Sequence, residues 1–153
     1  WDKYKKYAKE VFHKRNLGHP SLDDGNLHSS DVIRLLKPLN ISVNVVRSNS
    51  INYAESDGKS ISIPESCDIQ TLIHELGHVF QHNVYKEGES SKMTNMTSTY
   101  ATDTGEVFAE NFKHYFLASS WLKNKMPNIY SDLNQSIPTN WKKVVVNLIN
   151  FSN

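Results

Sequence analysis

Cysteine is nearly absent from this sequence. Of 153 residues only Cys67 is a cysteine, so no disulfide can form within the chain, and a cysteine-rich zinc site is excluded. A single thiol says nothing firm about redox compartment. An excess of one charge is also missing: 17 Lys and Arg stand against 16 Asp and Glu, a net charge of +1. Without a basic or acidic bias, nothing points to nucleic acid or to an anionic membrane surface as a partner. No apolar run reaches the length of a membrane span, and no signal peptide is visible. Internal repeats and low-complexity tracts are lacking too. The first residue is Trp1 rather than Met, which suggests a processed protein or a domain cut from a longer one. The length reads as one domain, residues 1–153, able to bury a core without disulfide staples, and a monomer is expected.

What is there is mostly helical pattern. Residues 1–16 place Trp1, Tyr4, Ala8, Val11 and Phe12 at helical spacing, with Lys3, Lys5, Lys6 and Lys9 on what reads as a solvated face. After the loop "GHPSLDDGN", the stretch "HSSDVIRLLKPLN" predicts a short helix, with Ser29 or Ser30 as N-cap and Pro38 near its end. "ISVNVVR" (41–47) alternates and is β-branched, so it predicts a strand. Residues 48–58 read as loop or weak strand. "KSISIP" (59–64) alternates again, and Pro64 favours an edge position because it cannot donate to a ladder. Residues 68–85 predict the central helix, capped by Asp68. Residues 86–103 are polar and aperiodic, a long loop of the kind that often serves function. "TGEVFAENFKHYFLASSWL" predicts a second strong helix, and "NIYSDLN" a short one after Pro127. "PTNWKKVVVNLINF" has helical spacing, although Val144 to Val146 leave a strand open. The order predicts an α+β domain with a small sheet.

The central helix carries the chemistry. "IQTLIHELGHVFQH" embeds two histidines and a glutamate in an apolar stretch. Such groups are costly to bury without a partner. His74 and His78 are four apart and share a helix face, so both imidazoles can reach one ion. Glu75 points elsewhere, beside the ion, where it can take a proton from a zinc-bound water. The spacing H-E-x-x-H thus suggests one zinc ion per chain. The bland alternative is a histidine pair satisfied by backbone or water. His82, one turn further on, reads as a rim residue, since three turns of a straight helix cannot converge on one tetrahedral centre.

A third ligand is needed, and the continuation x-x-G-x-x-H fails, because position 81 is Gln and position 84 is Val. Glu106 and Glu110 share a face of the second helix among Val107, Phe108 and Ala109. Two buried carboxylates repel unless a positive charge lies near. Glu106 is the expected ligand, and Glu110 the acceptor that holds the far nitrogen of a ligand histidine. A solvated acidic face is the alternative for the pair, and Asp103 competes as third ligand.

"HELGH" followed by "YATDTGEVFAENFKHYF" resembles the catalytic domain of the anthrax lethal factor family, zinc metallopeptidases of the gluzincin type that include secreted Pro-Pro endopeptidases. "MPNIYSDLN" resembles a short segment near that family's C-terminus, and the likeness spans roughly residues 58–135. It implies a zincin-like domain: a small mixed sheet with an edge strand over an active-site helix, plus a C-terminal helical part. The motif E-x-F-A-E matches Glu106 to Glu110, which implies Glu106 as third ligand and Glu110 as support. Tyr100 matches the family's oxyanion-stabilising tyrosine, with a gap to Glu106 one residue shorter than in the relatives compared. The likeness further implies a secreted or host-delivered toxin or effector that cleaves an extended peptide. The substrate would be a host signalling protein or a proline-rich surface protein. Two other functions compete with a zinc endopeptidase. One is a catalytically silent zincin-fold module that recognises an extended peptide. The other is a helical interaction domain in which the His and Glu pairs are coincidental.

Overall fold

A computed structural model describes residues 20, 22, 24–46, 60–84 and 104–152. The segments 1–16, 48–58 and 86–103 read above, with Tyr100 and Asp103, lie outside the described residues. In chain order the elements are β1 (Asn26–His28), α1 (Ser29–Leu36) running into a 3-10 turn (Lys37–Leu39), β2 (Ser42–Val46), β3 (Ser60–Pro64), β4 (Ser66–Asp68), α2 (Ile69–Val84), α3 (Thr104–Leu117), α4 (Ser119–Lys125), α5 (Pro127–Ser136) and α6 (Thr139–Phe151). This is an α+β arrangement in which helix dominates.

Among the described residues the strands form two separate pairs rather than one mixed sheet. β1 and β4 are antiparallel, with Leu27 opposite Cys67, and β2 and β3 are parallel, with Val43 opposite Ile61 and Val45 opposite Ile63. A bend at Glu65 divides β3 from β4, so the two ladders do not merge. The alternation in "SISIP" places Ile61 and Ile63 in the core, as a period of two requires. β1 and β4 carry no such signal. They are three residues each and are held by a register in which Leu27 and Cys67 are both buried. Backbone bonds then tie strands to helix starts: Ser29 N–H donates to Glu65 O at 2.8 Å, and Ile69 N–H to Gly25 O at 2.8 Å.

Helix ends follow local chemistry, with two departures from expectation. Asp68 caps α2 as expected, its Oδ2 accepting from both Thr71 N–H and Thr71 Oγ1 at 3.1 Å. The cap of α1 is neither Ser29 nor Ser30 but His28, whose Nδ1 accepts from Ser30 N–H at 3.2 Å. Ser29 is already helical and buried, because pairing of β1 with β4 draws the chain in one residue earlier. The second departure is at Ala118, whose backbone leaves the helical region (φ −147°, ψ 51°) and breaks the helix expected over 104–122 into α3 and α4. Backbone bonds still run through the break, Ala118 N–H donating to His114 O at 2.8 Å and Leu122 N–H to Ala118 O at 3.0 Å. Val144 to Val146 are helical: Val144 and Val145 are buried and Val146 is exposed, the rotation of a helix rather than a strand.

The core lies where α2, α3 and α6 meet. α2 buries Leu72, Ile73, Leu76, Val79 and Phe80, a stripe at helical spacing. Phe80 stacks on Phe108 at 6.2 Å between centroids and meets Phe112 at 5.4 Å and the edge of Trp141 at 5.3 Å. On the adjoining face, α2 and α3 touch backbone to backbone at Gly77. A Cβ there would lie 2.9 Å from Ala109 Cα and 3.1 Å from Phe112 Cβ. Glycine inside a helix costs roughly 0.5–1 kcal/mol relative to alanine, and here the close approach of a backbone atom requires it.

Gly77→Ala is therefore expected to destabilise despite its better helix propensity. Overpacking against backbone costs typically ~1–3 kcal/mol, which exceeds the propensity gain of up to about 1 kcal/mol. Urea denaturation should show a lower midpoint with an unchanged slope, and a midpoint equal to the parent's would show that the helices separate at no cost.

Candidate metal centre

The Gly77–Ala109 contact sets the register of the site. Gly77 sits between His74 and His78 on α2, and Ala109 sits between Glu106 and Glu110 on α3. Bringing the two small residues together brings the four polar side chains together. Glu106 bridges the histidines: its Oε2 is 2.8 Å from His74 Nε2, and its Oε1 is 2.8 Å from His78 Nε2. The imidazoles meet edge to face with centroids 4.9 Å apart. On the far side of His74, Nδ1 lies 3.4 Å from Glu110 Oε2, and Lys113 Nζ forms an ion pair with the same oxygen at 2.6 Å.

His74, His78 and Glu106 each offer one ligand atom, and these atoms all lie within 4.8 Å of one another. This cluster can hold a metal ion. In a tetrahedral shell with metal–nitrogen bonds of about 2.0–2.1 Å, neighbouring ligand atoms stand about 3.3 Å apart. The 2.8 Å separations would have to widen by about half an ångström to reach that value. Glu110 already faces the nitrogen of His74 that a metal would leave uncoordinated, the position from which a carboxylate fixes the tautomer and aim of a ligand imidazole. Glu75 is buried beside the cluster. His82 is half-buried on the same helix one turn beyond His78.

Electrostatics follow from this crowding. For His74, burial alone would lower the pKa. The hydrogen bonds and charges of Glu106 and Glu110 outweigh it and raise the pKa to about 9. Burial would raise Glu106, but the hydrogen bonds from His74 and His78 and their charges hold it at about 2. Glu75 moves upward: burial and the Glu106 charge outweigh the pull of His78 and His74. The Cys67 thiol is pushed up to about 12 by burial and by the charges of Asp68 and Glu75, so it stays a protonated core residue.

The structure thus brings together His74, Glu75, His78, Glu106 and Glu110. Tyr100, and Asp103 as the alternative third ligand, lie outside the described residues. Two features escaped the sequence reading. One is Gly77, since a glycine inside a strongly apolar helix signals close packing. Lys113 was not singled out, although its spacing of three from Glu110 permits an ion pair on the same face.

A proton count tests the cluster. In the metal-free protein His74 is protonated at pH 7, because its pKa stands at about 9. A divalent ion that takes its Nε2 must displace that proton. Zinc binding at pH 7, followed by calorimetry in buffers of different ionisation enthalpy, should release about one proton from this residue. Affinity should rise by up to about tenfold per pH unit from pH 7 and level off above pH 9. Binding with no proton release would place the ion away from His74. Stability of the metal-free protein has the opposite sign. The raised His74 pKa stabilises fully below 6.5, and that contribution is lost as pH rises through about 9.

No protein-family model, curated protein or solved structure matches this chain.

Proposed function

We propose that the chain is a zinc-dependent endopeptidase that hydrolyses peptide bonds by attack of water. The observation that carries the reading is the convergence of His74 Nε2, His78 Nε2 and the Glu106 carboxylate, with Glu75 buried at their side. Two imidazoles and one carboxylate form a donor set that suits zinc and leaves a position for a reactant. An ion held by these three residues supplies a positive centre that polarises a carbonyl and acidifies water.

The chain's own groups then divide the work. Glu75 takes the proton of the attacking water on its carboxylate and delivers it to the leaving amine. Its raised pKa suits that shuttle, since a carboxylate nearer neutrality is a stronger base and a readier acid. Glu110, with Oε2 3.4 Å from His74 Nδ1, keeps Nε2 turned toward Glu106. Tyr100, the match to the family's oxyanion tyrosine, is assigned the hydrogen bond to the developing negative oxygen. β3 pairs with β2 along one edge, and among the described residues no strand pairs with the other. An extended peptide adding there would gain backbone bonds.

The resemblance to the lethal factor family supports the same chemistry from the residues at 74–78 and 106–110, and it extends the proposal to a secreted or host-delivered toxin or effector. The presence of Glu75 favours turnover over a silent peptide-binding module, since losing this base alone would silence the site.

Glu75→Gln separates these readings. The variant should bind zinc as the parent does and cleave a peptide library at least ~100-fold more slowly. A chelator should abolish cleavage by the parent. Equal digestion by parent and variant would refute the mechanism, and a folded parent that takes up no zinc would refute the metallopeptidase itself.

A further inference from the structure

We propose that Lys113 is a positioning residue of the metal site, acting through Glu110 on His74. The proposal rests on the metallopeptidase reading only to the extent that His74 is a metal ligand. Glu106, Glu110 and Lys113 stand at i, i+4 and i+7 on α3, one face of the helix. That face looks onto α2, as the contacts of Glu106 and Glu110 with its histidines show.

Lys113 is unusual for a helical lysine. Its side chain is 13% exposed, and its Nζ lies 2.6 Å from Glu110 Oε2. Lysines are seldom so covered unless paired. The same oxygen lies 3.4 Å from His74 Nδ1. An ammonium and an imidazole therefore converge on one carboxylate oxygen, and that oxygen is the one that orients the ligand ring.

The consequence is mechanical. A glutamate carboxylate held by a single partner can turn about its terminal torsion, which is broad and weakly restrained. A second partner on the same oxygen, fixed one helical turn along, removes that freedom. His74 then finds its acceptor in one place, and its Nε2 is aimed before an ion arrives. Ion pairs at this spacing on open helix faces do little. This one differs because it is covered and because its oxygen is shared with a ligand.

Zinc affinity, measured by competition with a chromophoric chelator, tests the assignment. Lys113→Met retains the stem and removes the charge; it should weaken binding about tenfold, the lower end of what outer-shell partners contribute. Lys113→Arg should restore most of the loss, since it can still reach the Glu110 carboxylate. Glu110→Gln should weaken binding about 10–100-fold, and adding Lys113→Met to it should change nothing further, because the route to His74 is already cut. Thermal unfolding of the zinc-free proteins checks that each variant folds; if Lys113→Met does not, Lys113→Gln replaces it with the same expectation. If the charge-removing variant binds zinc as the parent does, or loses the same factor with and without Glu110, the role of Lys113 is refuted while the metal site stands. A parent that binds no zinc refutes both together.

Discussion

Two helices that touch without side chains between them make everything else possible here. At Gly77 the backbone of α2 lies against Ala109 of α3, closer than a Cβ would allow. Helices more often pack 8–10 Å apart with side chains interleaved. Bare contact brings the flanking positions within reach of short side chains. Each helix contributes residues on either side of its small one: His74 and His78 about Gly77, Glu106 and Glu110 about Ala109. The 2.8 Å contacts of Glu106 with both rings are a direct result of that spacing.

The same contact concentrates ionisable groups to a degree that an ordinary helix pair avoids. Two histidines, three glutamates and a lysine share a partly covered volume, and their protonation is displaced in opposite directions, His74 up to about 9 and Glu106 down to about 2. Burial works against the charged form of both, yet mutual hydrogen bonding wins in both cases. Strongly displaced protonation of this kind occurs at functional sites and also in structural ion-pair networks. The cluster here also has unequal members. Glu106 bridges, Glu110 supports from behind with Lys113 at its back, and Glu75 stands aside with its proton affinity raised. A structural salt bridge needs no such division of labour.

The sequence made some of this legible and hid the rest for physical reasons. His74, Glu75 and His78 were visible because helical geometry alone places residues four apart on one face. Glu106 and Glu110 were visible because an acidic pair among Val107, Phe108 and Ala109 is costly unless something compensates it. Helix positions were legible wherever apolar residues recur over several turns, as in α2 and α6. The Asp68 cap could be read from its type and place. What could not be read depends on contacts distant in sequence. β1 and β4 are too short for periodicity and exist because Leu27 meets Cys67 across the chain. His28 caps α1 because that pairing sets where the helix begins. Lys113 looks like any surface lysine until the fold covers its side chain.

Placing the candidate site on helices rather than loops has a further consequence. Side chains on packed helices have few places to go, which is what a preorganised site requires. The apolar face of α2 that anchors Phe80 against Phe108, Phe112 and Trp141 belongs to the same rigid rod as the face that carries His74 and His78. α3 does likewise, with Phe108 and Phe112 in the core and Glu106 and Glu110 at the site. A change in the aromatic core that tilts one rod against the other therefore moves ligand atoms as well as core atoms. Stability and the geometry of the candidate site are coupled through two rigid bodies with one shared contact, and the glycine at that contact has no room for a Cβ.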